Sequence, residues 1–461
     1  MSDTTAGMTA QLAEHAARNV TPSARSRDIL AASLADTLGV ALAAAQDPAP
    51  LRLREALGPR LAPGCATVWA SGERCDAPTA ALLNGTAAHA LDYDDVNDRM
   101  SGHPSAVLWP ALLAVGESVD ARGQDLAAAY HTGFDTIITL ATVLDVDAHY
   151  RAGWHATATL GVLGATAAVC RLLGLTGGQV QHALGIASSS ASGSRQNFGT
   201  LTKPLHAGLA ARDAVMAARL AQVGFDADPS ELDAPLGFLA RFGPVTGSAA
   251  DVVLAEAPHL DREGLNIKSY PSCYKTQRAI DAALKLARER RPALDDIIAI
   301  RVTTEPGGQV PLVHHEPANG TQAKFSMEYV VAAALHDKAI DLFSFLDEKV
   351  ARPDVRALMA LVQSGTAQAP PVGSPEWSGA FATVEVTTST GTIASRCDVP
   401  RGDRRYPLNW SEVADKVTAC CAYGERKTDA PALLRVIAEA NVLPTARQIG
   451  AQLVAPALAQ G

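Results

Sequence analysis

Aromatic residues make up only 5% of this 461-residue chain and charged residues 19%, against 48% hydrophobic. So few aromatics leave little material for a pocket that stabilises carbocations by ring faces. The net charge is -9, which gives no overall attraction for phosphate backbones or anionic lipid, so no nucleic acid and no membrane is expected as partner. Seven cysteines form an odd set with no repeated short spacing, the one close pair being Cys420 and Cys421. That excludes a disulfide framework and a thiolate zinc site. Twelve histidines show no metalloprotease spacing, although His314 and His315 are neighbours. The N-terminal stretch MSDTTAGMTAQLAEHAARNV has no apolar signal core, and no window reaches the length of a membrane span without interruption. The chain reads as soluble and cytoplasmic, and its length predicts two domains.

What the sequence does have is helix-forming alanine and leucine. In ILAASLADTLGVALAAA, Leu30, Leu34, Leu38 and Leu42 recur every fourth residue on one face. In ATATLGVLGATAAVCRLLG, small residues allow close helix approach and predict a central buried helix. Nothing in this half alternates like a strand. The texture changes near Lys268: DDIIAIRVTTEPG alternates, FATVEVTTSTGTIASRCDV reads as two strands joined at Gly391, and AKFSMEYVVAAALHDKAI and RPDVRALMALV between them read as helices. After PRGDRRYPLNW the helical texture returns. The expected fold is mainly α: a large all-helical domain, residues 1–264 and 400–461, with a smaller α+β lid inserted at 267–397.

The stretch AAHALDYDDVNDRMSGHPSAV crowds Asp92, Asp94, Asp95, Asp98 and His103 together. DDVND has the spacing of the aspartate motif that holds magnesium and a diphosphate in all-helical terpene synthases, and DYDD mimics a proton-donating motif of another cyclase class. The magnesium chemistry needs a second motif downstream, which is missing. Without metal, Pro104 pushes His103 out of helical geometry and fixes an imidazole beside carboxylates, which suits proton transfer near neutral pH. The bland alternative is helix caps and loop hydrogen bonds. TKPLHAG sets Lys203 and His206 at a predicted helix start, where an anion is favoured. Lys268 precedes another start, and His155 heads the small-residue helix. Singly these are ordinary surface or capping residues; together they describe a pocket for a polyanionic small molecule.

The blocks LNGTAAHALDYDDVNDRMSGHPSAVLWPALLAVGE, HYRAGWHATATLG, SGSRQNFGTLTKPLHAGLAARDAVMAARLAQVGF, YPSCYKTQRAID, AKFSMEYVVAAAL and RGDRRYPLNWSEVADKV follow one another in the order of the MmgE/PrpD family, which this chain resembles over most of its length. The family includes 2-methylcitrate dehydratases, cis-aconitate decarboxylases and iminodisuccinate epimerases. The resemblance implies a homodimer of helical domain plus α+β lid, with the active site between them. It implies catalytic Asp92, His103, His155 and, reaching in from the lid, Tyr329. It implies substrate contacts from Lys203, His206, Lys268 and Cys273, with no metal and no cofactor. Cys273 stands where the decarboxylases have histidine, Thr276 and Gln277 where many relatives have Thr-His, and Val96 where several have threonine. These departures put dehydration of a small di- or tricarboxylate first, epimerisation next and decarboxylation third. Each begins at a carbon beside a carboxylate, where lysines lower the energy of a carbanion-like state and an acid and a base flank the carbon. Which histidine is base and which acid stays open, and a non-catalytic scaffold is the reading from outside enzymology.

Overall fold

The computed structural model describes residues 7–18, 21–247, 258–377, 379–425 and 428–454. Parts of the expected helical domain, residues 1–6, 19–20, 248–257, 426–427 and 455–461, therefore lie outside the described residues.

Caps written in the sequence start the helices. The Ser23 hydroxyl accepts from the Ser26 N–H at the head of Ala24–Ala43, and Asp76 accepts from Thr79 N–H ahead of Ala77–Ala90, which carries proline in its first turn. The stripe Leu30, Leu34, Leu38 and Leu42 is fully buried, each side chain contributing roughly 1.5–3 kcal/mol by leaving water. Helix Ala156–Leu172 is the central one: residues 156–170 are all buried, and it packs on Gly123–Val143, Ser105–Val119, Gly177–Ser190 and Thr202–Gln222.

One close approach matters most for function. A Cβ on Gly85 would stand 2.9 Å from the Gly208 Cα, and one on Gly208 only 2.3 Å from the Leu82 carbonyl oxygen. Two glycines thus let helices Ala77–Ala90 and Thr202–Gln222 touch backbone to backbone. They run antiparallel, so the end of the first, bearing His89, meets the start of the second, bearing Lys203.

Two expectations need correction. The helical half is not free of strands: Ala66–Thr67 and Arg74–Cys75 form a short antiparallel pair. Nor is it free of a span-length apolar run, since Ala24–Gln46 has mean hydropathy 1.5 over its most apolar window. That window is 78% buried inside the protein, which is the environment of a soluble core helix.

A four-stranded sheet lies in the second half, in the order Val362–Thr366, Ile297–Thr304, Ala382–Thr388, Gly391–Cys397. The first pair is parallel and the others antiparallel, with Gly391 at the hairpin as its sequence suggests. The helix expected to run to Val362 stops at Met359, and Val362 opens the strand Val362–Thr366, whose short, Gly-containing QSGT offers no alternation. The fold is mainly α with this small mixed sheet. Apolar packing forms two clusters, one drawn from residues 8–267 and 413–453 together with Leu342, the other from residues 273–386 together with Phe198. Helix Trp410–Tyr423 returns to pack against Ala24–Ala43, so the chain's last segment closes on its first.

Candidate active site

Just past helix Ala77–Ala90 the chain turns sharply at Asp92, whose φ of 52° is left-handed, a conformation aspartate tolerates better than most residues. The turn aims its carboxylate at two lysines. Lys203 Nζ lies 2.7 Å and Lys268 Nζ 3.2 Å from Asp92 Oδ1, and Lys268 also donates to the Asp92 carbonyl oxygen at 2.6 Å. All three residues are buried. Burial alone would raise the Asp92 carboxyl, but the two ammoniums beside it hold it far below the usual carboxylate range. Lys203 Nζ also lies 5.4 Å from the Phe198 ring and 5.3 Å from Phe325, so its charge is held between ring faces.

Imidazoles line up behind and beside this cluster. His103, set ahead of helix Ser105–Val119 by Pro104, donates its backbone N–H to Thr157 Oγ1 at 3.1 Å. Its Nε2 is 3.7 Å from Asp92 Oδ1 and its Nδ1 3.0 Å from Asp94 Oδ2, off the line of a good hydrogen bond in the second case. Asp94 Oδ2 also meets His89 Nδ1 at 2.8 Å, so one buried carboxylate orients two rings. His155, at the head of helix Ala156–Leu172, shares a hydrogen bond with His206, Nδ1 to Nδ1, at 3.1 Å. Burial pushes His89 down to about 3 and His206 to about 4, and pushes His155 well below and His103 below the usual value. Free of substrate, the rings are neutral near pH 7 and each has one N–H and one lone pair to place.

A cavity of about 770 Å³ opens on this arrangement. Of the residues expected at the site, Asp92, His103, His155, Lys203 and Cys273 line it. Lys268 and His206 do not: they stand behind Asp92 and His155, bonded to them, and act on whatever fills the cavity through those two side chains. Burial pushes the Cys273 thiol up to about 11, so it is a neutral, small wall. Tyr329 is the clear correction. It is 1% exposed, its hydroxyl donates to the Ser344 carbonyl oxygen, and its ring centroid lies 5.8 Å from that of Phe345. Helix Met327–Asp337, capped by Ser326, turns this face into the apolar core of the smaller unit and away from the cavity.

The sequence gives no sign of His89, Phe198 and Phe325, and it marks Asp94 only as one member of the acidic run. His89 sits in the quoted acidic stretch, but a helix-end histidine carries no pattern of its own. The phenylalanines meet Lys203 only through the fold.

His89, Asp92, Asp94 and His103 each offer a ligand atom, all within 4.8 Å of one another. The residues do not fit a divalent ion. Asp92 Oδ1 is already taken by two ammoniums, and a cation there would sit a few ångströms from both, with their repulsion weakly screened.

A third buried lysine braces the cluster. Lys416, from helix Trp410–Tyr423, donates to the carbonyl oxygens of Tyr93 at 2.8 Å and Lys268 at 2.9 Å, and pairs with the fully buried Asp36 at 2.6 Å.

A carboxylate pinned between ammoniums, with paired imidazoles on a cavity, defines a site for proton transfer on an anionic substrate. Residues 10–247 match the MmgE/PrpD N-terminal domain and residues 270–438 the MmgE/PrpD C-terminal domain, and the chain belongs to the MmgE/PrpD family of enzymes. It is similar to the cis-aconitate decarboxylases of Homo sapiens, 30% identical over 363 residues, and of Mus musculus, 30% identical over 365; each alignment covers 77% of this chain and 74% of the relative. It is also similar to the cis-aconitate decarboxylase of Aspergillus terreus, 26% identical over 315 residues, covering 64% of each chain.

Proposed function

We propose that this protein is a carboxy-lyase that removes carbon dioxide from a small unsaturated tricarboxylate of the cis-aconitate kind. This reverses the order expected from Cys273 and Val96, which put dehydration first. Support for the change comes from the relatives, several of which are cis-aconitate decarboxylases at 26–30% identity. The observation that carries the reading is the Asp92–Lys203–Lys268 cluster facing a cavity that His103 and His155 also line.

In decarboxylation the C–C bond to one carboxylate breaks, carbon dioxide leaves, and the electron pair stays on the substrate until a carbon takes one proton. Lys203, backed by Lys268 through Asp92, lowers the energy of that electron-rich state. His103 or His155, brought to imidazolium by the negative charge of the bound substrate, supplies the proton, help worth roughly a hundred- to ten-thousand-fold. Asp92, fixed as a carboxylate, serves to hold the ammoniums and is a poor proton donor. Cationic side chains that line the cavity, Lys275, Arg278 and Arg405, suit the remaining substrate carboxylates. The smaller α+β unit serves as a lid, a role supported by Cys273, Tyr274 and Phe325, which it contributes to the cavity wall.

The test is a screen of di- and tricarboxylates in deuterated water. Carbon dioxide release with one solvent deuteron per product is expected from cis-aconitate. Alkene formation from a hydroxyacid without carbon dioxide points to a dehydratase, and deuterium exchange with no loss of carbon to an epimerase; either replaces the proposal.

A further inference from the structure

Behind the Asp92–Lys203 ion pair lies a second, much smaller chamber, about 10 Å³, which shares Asp92, Lys203 and Phe325 with the main cavity. Two atoms of its lining residues, His89 Nε2 and Asp92 Oδ2, are buried and have no hydrogen-bond partner among the described residues. A third group on the chamber is Lys324, itself buried, whose ammonium has no acceptor among the described residues. That volume suits one water molecule, and such a water needs two to four polar partners. From these buried walls the chamber leads to the half-buried Asp47 and Thr321 and the exposed Thr200.

We propose that this chamber holds one ordered water, and that Lys324 is a positioning and proton-supplying residue that reaches the catalytic imidazole through it. The idea rests on the reading that each turnover consumes one proton. When His103, protonated to imidazolium beside the bound anionic substrate, gives its Nε2 proton to the substrate carbon, that nitrogen must be refilled. A proton leaves the Lys324 ammonium for the water, a water proton moves to Asp92 Oδ2, and that same proton passes to His103 Nε2 once the carboxyl turns its protonated oxygen into the place of Oδ1, which lies 3.7 Å from that nitrogen. Solvent then recharges Lys324 past Thr200. The carboxyl carries the proton only in transit, because Lys203 and Lys268 favour its charged form. Burial, with Lys203 and Lys268 adding and Asp47 and Asp92 opposing, brings Lys324 down to about 8, where it gives up and regains a proton easily near neutral pH.

Two measurements test this. A high-resolution crystal structure of the wild-type protein should show a water within hydrogen-bond distance of both His89 Nε2 and Asp92 Oδ2; an empty or apolar-filled chamber overturns the proposal whatever the reaction proves to be. In Lys324→Met, kcat should fall roughly tenfold or more with KM held, the fall in wild-type kcat above about pH 8 should vanish, and small alkylammonium buffers should restore part of the rate. Wild-type kcat and pH profile in Lys324→Met, or a loss that tracks a lower melting temperature and that no amine rescues, also overturns it. If the wild-type protein releases no carbon dioxide from any carboxylate, the proposed function fails, and the water decides the chamber alone.

Discussion

Lys416 donates to the carbonyl oxygen of Lys268 at 2.9 Å, across 148 positions of sequence, while the same ammonium holds the carbonyl of Tyr93 at 2.8 Å. One side chain therefore ties the residue after Asp92 to the backbone of its lysine partner. Asp92 sits in a left-handed conformation that persists only when its surroundings over-determine it, and this clamp is part of what does so.

If Lys416 works by placing Lys268, its effect must disappear when Lys268 is gone. Lys416→Met alone leaves Asp36 charged and buried, a loss of about 3–5 kcal/mol in stability, so the substitution is best made together with Asp36→Asn. In that background kcat should fall about tenfold to a hundredfold, the scale of a small misplacement of catalytic groups. Adding Lys268→Met to both forms should erase the difference between them. Fully additive losses in this double-mutant cycle would leave Lys416 with a structural role only.

Lys203→Met separates charge from packing at the site. With Lys203 only 5% exposed at its side chain and paired to Asp92, the variant should lose stability, by less than the roughly 3–5 kcal/mol of a fully broken buried pair because Lys268 still faces the carboxylate. Turnover should fall about a hundredfold or more. Lys203→Arg should recover part of the stability and little of the turnover, since a planar fork does not occupy a point-charge site. Near-normal turnover in Lys203→Met removes the central support of the mechanism.

Tyr329→Phe offers the opposite pattern. It deletes one buried hydrogen bond and leaves the Ser344 carbonyl unmet, which should lower stability by about 1 kcal/mol and leave turnover unchanged. A large loss of turnover with an unchanged melting temperature would return Tyr329 to the cavity.

Activity should survive exhaustive chelation, because the two ammoniums on Asp92 already supply the positive charge that a metal would bring. Reversible loss with EDTA, restored by magnesium, would revive the diphosphate-binding reading of the aspartates.

Much of this site was legible before any coordinates. Pro104 after His103, Pro204 after Lys203 and the small-residue helix after His155 each announce a local geometry, and the structure brings those three residues to one cavity. Depth was not legible. Lys203 meets the cavity while Lys268 stands behind Asp92, a difference that neither local stretch encodes. Tyr329 failed for a related reason: FSMEY shows a capped helix start but not which face turns inward. Strand Val362–Thr366 was missed because its pairing with Ile297–Thr304 is made at a distance, and five residues containing glycine show no period.

The Lys416 clamp also has a meaning in time. A ribosome delivers Asp92, Lys203 and Lys268 first, and Lys416 only 148 residues after Lys268. At roughly 5–20 residues per second, that interval lasts about 7–30 seconds. During it the nascent chain already carries Asp92, Lys203 and Lys268 but lacks the ammonium that fixes the carbonyls of Tyr93 and Lys268, so the cluster gains its brace only after the rest of the cavity wall has been made.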